Sequence, residues 1–163
     1  MTRAKPAKPR KKARQARAGA LSADVAGRPR LQYAALPWRM TDRLEIMLVS
    51  SRETRRWIIP KGWPMAGRSG AAAAAIEAIE EAGLLGAISP EPIGHFDYAK
   101  RFTRSMEICR VKVFSLRVLR QRETWPEMHQ RDTQWFPAEE AMALVSDPEL
   151  GDLIGAFIGS FAS

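Results

Sequence analysis

Glu77, Glu80 and Glu81 stand at i, i+3 and i+4 immediately before Gly83, at the end of a run that begins Ala71-Ala-Ala-Ala-Ala75. On a helix, that spacing stacks three carboxylates on one face within a single turn. Like charges so close repel, and a helix that only scaffolds gains nothing from them. A hard divalent cation such as Mg²⁺ reverses the sign of the argument, because it takes several anionic oxygens at once. The pattern therefore predicts a metal site suited to phosphates.

The local signals around the triad are those of one well-bounded helix. Ser69 is placed as an N-cap, the alanines have the best intrinsic propensity, and Gly83 suits the left-handed position past the C-terminus. These predict a helix over 70–82. Upstream, 31–38 and 43–51 read as strands joined near Thr41-Asp42, and Arg56–Ile59 as a short strand stopped by Pro60. Downstream, Pro90 and Pro92 mark a loop before Ile93–Tyr98. Met106–Leu119 alternates as a strand, with the turn at Lys100–Arg104 between them. Thr133–Phe136 is a last strand, and Pro137 opens a helix to about Ser146. Asp147-Pro148 breaks it before a closing helix with Leu150, Leu153, Ile154, Phe157 and Ile158 on one face. Strands with an early and two late helices predict an α/β (α+β) sandwich.

The chain has 163 residues and a formal charge of +8. That charge is concentrated: Arg3, Lys5, Lys8, Arg10, Lys11, Lys12, Arg14, Arg17, Arg28 and Arg30 face one acid, Asp24, in the first 30 residues. Residues 1–29 thus read as a basic tail too poor in large apolar groups to order itself, and 30–163 as one nearly neutral domain. The tail is expected to be a solubilising arm capable of weak electrostatic contact with nucleic acid. No stretch reads as a signal sequence or membrane span, and a single cysteine, Cys109, excludes an internal disulfide. A reducing compartment, by default the cytoplasm, is the expectation. Oligomeric state is not legible.

Gly62, Glu77, Glu80, Glu81, Gly83 and Leu84, at their observed spacing, resemble the box of the Nudix hydrolase family. Two positions depart from it: Arg68 stands where the box has a glutamate, and Ile76 where it has an arginine that orients neighbouring carboxylates. The resemblance extends over most of 30–145, towards the subgroup of diphosphoinositol polyphosphate phosphohydrolases and diadenosine polyphosphate hydrolases. It does so through Val49-Ser-Ser-Arg52, Arg56–Gly62, Arg131, Trp135-Phe136 and Glu139-Glu140-Ala141.

The resemblance implies a mixed central sheet between helices. It also implies Mg²⁺-dependent (or Mn²⁺-dependent) hydrolysis of a phosphoanhydride in a nucleoside diphosphate linked to another group, or in a polyphosphorylated small molecule. Residue by residue, it makes Glu77, Glu81 and the Lys61 carbonyl metal ligands. It makes Glu80 a member of the same metal-binding group and the acceptor of the attacking water's proton. Arg30, Ser50, Ser51, Arg52, Arg101 (or Lys100) and Arg131 become phosphate contacts, and Glu127 a further carboxylate reaching the metal from a long loop. His95 and His129 lack metal-ligand spacing, with His95 expected at a sheet edge. Trp57 and Trp135 are expected in the core or a pocket wall, and Tyr98 or Phe102 against a base. The alternatives are a domain that kept the fold and lost turnover, motivated by Arg68 and Ile76, and a nucleic-acid-end phosphohydrolase that uses the tail.

Overall fold

The computed structural model describes residues 28–162. The element order is β1 (Arg30–Met40), β2 (Leu44–Ser50), β3 (Trp57–Ile58), β4 (Lys61–Gly62), α1 (Gly70–Ala82), β5 (Leu84–Ile88), β6 (Gly94–Phe102), β7 (Ser105–Gln121), β8 (Thr133–Pro137), α2 (Ala138–Leu144) and α3 (Pro148–Ser160). The basic tail lies almost wholly outside the described residues.

β1 organises the sheet. It runs parallel to β7 from Arg30↔Cys109 to Trp38↔Arg117. On its other edge it pairs antiparallel with β4 at Tyr33↔Gly62 and with β2 at Trp38↔Ile46. β6 and β5 pair antiparallel with β7, and β8 and β3 with β2. The sheet is therefore mixed, as expected.

Helices cover both faces. α1 packs its alanines, with Ala71, Ala74, Ala78 and Ala82 all buried, on Ala35, Met47, Val49, Phe114 and Leu116. On the opposite face α2 and α3 bury Ala138, Ala141, Leu150 and Ile154 against Ala34, Leu36, Ile46, Leu48, Phe96 and Val113. Small alanine side chains let α1 lie close to the sheet, which brings its acidic end near the strand ends.

The elements predicted from local pattern are present, with shifted ends. The helix expected to reach Ser146 stops at Leu144, where Val145 is already extended. β4 and β5 have no counterpart in the sequence reading. β6 is an edge strand and His95 on it is exposed, as expected. Among the described residues no helix is long and apolar enough to cross a membrane.

Candidate active site

α1 is fixed at both ends. Ser69 Oγ accepts a hydrogen bond from Ala72 N at 3.1 Å, and Gly83 at φ 67° closes the helix by donating its N–H to Ile79 O. Between these ends Glu77 and Glu81 are each 1% exposed, although both are carboxylates. Glu80 is half-buried between them in sequence.

Glu77 lies directly over β4. A Cβ on Gly62 would collide with both carboxylate oxygens of Glu77. The missing side chain at 62 is thus the cradle that admits the carboxylate, and the Lys61 carbonyl belongs to the peptide beside it. The Lys61 Nζ lies 5.1 Å from the centroid of the Tyr98 ring. Burial lowers the Lys61 pKa below the usual lysine value, against the opposing pull of Glu81.

A second acid arrives from the loop between β7 and β8. Glu127 N donates to Glu80 O at 2.9 Å, Arg122 N to Gly83 O at 2.8 Å, and Gln121 Nε2 to Ala82 O at 2.9 Å. The end of β7 and the loop after it thereby satisfy carbonyls at the C-terminal end of α1. The Trp125 ring rests on Gly83, where a Cβ would strike it. Held this way, Glu127 is 5% exposed.

Arg131 joins the two acids. Its Nε donates to Glu127 Oε1 at 2.9 Å, its Nη1 to the Ser50 carbonyl at 3.1 Å, and its Nη2 lies 3.6 Å from Glu81 Oε1. Its side chain is only 8% exposed. No local pattern foreshadows this pairing, since the partners come from α1, β2 and the loop itself.

The remaining phosphate-contact candidates are distributed around this centre. Ser50 is buried, with Oγ accepting from Asp132 N at 2.8 Å, and Ser51 Oγ lies 2.6 Å from Thr54 Oγ1 within a tight turn. Arg52 is exposed, donating to Gln130 Oε1 at 3.3 Å. In the same turn Arg55 takes φ 55° and reaches Gln130 O and Asp132. Arg30 pairs with Glu107 at 2.8 Å and lies 4.1 Å over the Phe102 ring. Arg101 is exposed on β6, whereas Lys100 alternates onto the face of Tyr98 and Phe102 and acts electrostatically on Lys61.

Tyr98 donates to Gln32 Oε1 at 2.7 Å, and burial drives its pKa well above the usual phenol value. Tyr98 and Phe102 also pack on buried Trp63 and Cys109. Trp57 packs edge-to-face on Phe136, and Trp135 carries the Arg39 guanidinium at 4.1 Å.

As the side chains stand, no three His, Cys, Asp or Glu groups among the described residues are drawn up around one metal-sized point. The donor chemistry nevertheless suits a hard cation: the carboxylates of Glu77, Glu81 and Glu127 are all oxygen donors and all buried, and the space over Gly62 is taken by the Glu77 carboxylate itself.

No protein-family model matches the chain. Among curated proteins, Arabidopsis thaliana "Nudix hydrolase 12, mitochondrial" is 34% identical over 107 residues, which is 63% of this chain and 53% of that protein. "Nudix hydrolase 4" of the same plant is 30% identical over 118 residues, 72% of this chain and 56% of its own length. The chain thus spans little more than half the length of these relatives. Among solved structures, the C. elegans Ap4A hydrolase superposes with a TM-score of 0.59 at 19% identity, over 82% of this chain and 98% of that one.

Proposed function

Because the chain belongs to the Nudix hydrolase family, we propose that it hydrolyses a phosphoanhydride bond in a nucleoside diphosphate linked to another group, or in a polyphosphorylated small molecule of the diadenosine polyphosphate or diphosphoinositol polyphosphate type. The observation that carries this is the burial of Glu77 and Glu81, one helical turn apart, beneath a backbone that only glycine leaves open at 62. Buried carboxylates are costly unless a cation or a set of donors repays them.

In this reading Glu77, Glu81 and the Lys61 carbonyl hold Mg²⁺ or Mn²⁺. The bound cation supplies charge stabilisation to phosphoryl oxygens. Glu80 orients the attacking water and accepts its proton as oxygen bonds to phosphorus and the bridging P–O bond breaks. Arg30, Arg52 and the cationic edge of β6 draw in the polyphosphate, with Ser50 and Ser51 shaping the turn that carries Arg52. The Ap4A hydrolase likeness favours a dinucleoside polyphosphate as the first substrate to try.

The experiment is a panel of dinucleoside polyphosphates, nucleoside triphosphates, nucleotide sugars and diphosphoinositol polyphosphates, with Mg²⁺, with Mn²⁺ and with chelator. Turnover that requires the metal and is lost in Glu81→Gln, with the fold intact by circular dichroism, supports the proposal. Undiminished turnover in Glu81→Gln defeats it.

A second reading, a domain that binds such ligands without cleaving them, is favoured by Ile76 in place of the orienting arginine. Tight binding with no turnover across the whole panel would select it. A role for the basic tail on nucleic acid ends predicts salt-sensitive binding that vanishes on deletion of residues 1–28 while small-molecule hydrolysis persists. For the compartment we keep the cytoplasm, on the buried free thiol of Cys109. Cell fractionation tests this against the mitochondrial label that several relatives carry.

A further inference from the structure

We infer that Arg131 is the internal counter-cation of the carboxylate cluster: it holds Glu81 and Glu127 in place when no metal is bound, and it sets the metal affinity by opposing the metal's charge. This rests on the metal-centre reading above. It moves Arg131 from a phosphate contact to a positioning residue.

The geometry leaves Arg131 little to offer a substrate. All three of its guanidinium nitrogens are directed at protein oxygens, those of Glu127, Ser50 and Glu81, and its side chain is 8% exposed. Those oxygens belong to three separate parts of the chain, namely α1, the end of β2 and the loop after β7. The planar, permanently charged fork of arginine suits such a junction, and a lysine ammonium does not match it. Two carboxylates at 1% and 5% exposure need a cation near them, and Arg131 supplies one from within the fold. A guanidinium and a divalent ion sharing the same acids repel one another. The arrangement therefore stabilises the metal-free protein at the expense of metal affinity.

Ile76 gives this weight. The residue preceding Glu77 carries no charge here, so no guanidinium comes from that position to steer the acids. Arg131 reaches them from another element.

The test uses the full chain without substrate. Mn²⁺ binding is measured by electron paramagnetic resonance, and melting temperature is recorded in chelator and in saturating Mn²⁺, for the native protein, Arg131→Gln and Arg131→Lys. Arg131→Gln is expected to bind Mn²⁺ about tenfold more tightly. It should also melt lower in chelator and recover more of that loss with Mn²⁺ than the native protein gains. Arg131→Lys, whose single ammonium cannot serve all three acceptors and so offsets the acids less completely, should bind Mn²⁺ more tightly than the native protein but less tightly than Arg131→Gln, and should gain correspondingly more from Mn²⁺ on melting. An unchanged Mn²⁺ affinity in Arg131→Gln, with equal melting losses in both buffers, would mean a purely structural joint and overturn the inference. If Arg131→Gln does not fold, Arg131→Lys decides: a Mn²⁺-induced gain equal to the native one overturns it. A native protein that binds no Mn²⁺ at all defeats the metal-centre reading itself, and the inference with it.

Discussion

The carboxylate of Glu77 lies against the backbone of Gly62, so close that the smallest side chain at 62 would occupy its place. Gly62 needs no unusual dihedral, being an ordinary strand residue paired with Tyr33. Its requirement is purely steric. Gly62→Ala must therefore push Glu77 aside or part α1 from β4. Turnover on the best substrate of the panel should fall about 10²-fold, with stability reduced by about 1–3 kcal/mol from overpacking. Activity and melting temperature both at native values would show that Glu77 does not need this position.

Gly83 is constrained twice, by φ 67° and by the Trp125 ring seated on it. Gly83→Ala should cost about 1–3 kcal/mol from the left-handed backbone alone. It should also lift Trp125, and with it the segment that donates Glu127 N to Glu80 O. The distinguishing readout is Trp fluorescence, which should report a more exposed indole. Gly83→Asn tolerates the dihedral better, yet it brings the same Cβ against the ring. If Gly83→Asn leaves both the fluorescence and the Mn²⁺ affinity native, the loop does not depend on this contact.

Much of this arrangement is visible in the sequence because it is local. The N-cap at Ser69, the alanine run and the glycine at 83 bound α1 to within a residue of where it lies, and the i, i+4 spacing alone places Glu77 and Glu81 on one face. What fails is what depends on distant pairing. β4 is two residues long and exists only because Tyr33 and Ala34 are there to bond it. β5 contains Gly86, a poor strand former, whose backbone passes too near the Arg117 carbonyl for any side chain and sits at an irregularity in the pairing. β7 blurs the period-2 signal, because its buried residues change parity between Val113 and Phe114. Its first half is covered from the α3 side and its second half from the α1 side. Arg131 reads as one more arginine until the register Val49↔Thr133 carries it beside Ser50.

Across β6 and β7, Arg110 grips Asp97 with two bonds, Nε to Oδ1 at 2.9 Å and Nη2 to Oδ2 at 3.0 Å. The hydrogen bond from Arg110 is the main reason the Asp97 pKa is lowered below 3.8. A folded-state pKa below the unfolded one means stability that is present above the unfolded value and lost as pH falls through the folded value. Asp97→Asn should therefore melt slightly below the native protein at neutral pH, with the difference vanishing in strong acid. A gap that persists unchanged at about pH 2 would assign the effect to something other than this charge.

Alternation along β6 puts Lys100 on the face of Tyr98 and Phe102, while Arg101 points the other way and is exposed. The two cations are neighbours in sequence, so composition and net charge cannot separate their roles, but their faces can. Lys100 stands close enough to Lys61 to lower its pKa, and so contributes to a positive field on that side of the sheet. A polyphosphate drawn to the proposed centre would meet Lys100 and not Arg101. Lys100→Ala should raise KM about tenfold with kcat little changed, the loss expected for one charge-assisted contact made equally in the ground and transition states. Arg101→Ala should leave both constants near native. Steady-state kinetics at two salt concentrations provides the check, because the Lys100 effect should shrink as salt screens the field. Equal losses in the two variants would mean that the polyphosphate approaches across the hairpin end, where both side chains are within reach, and not along the Tyr98 face.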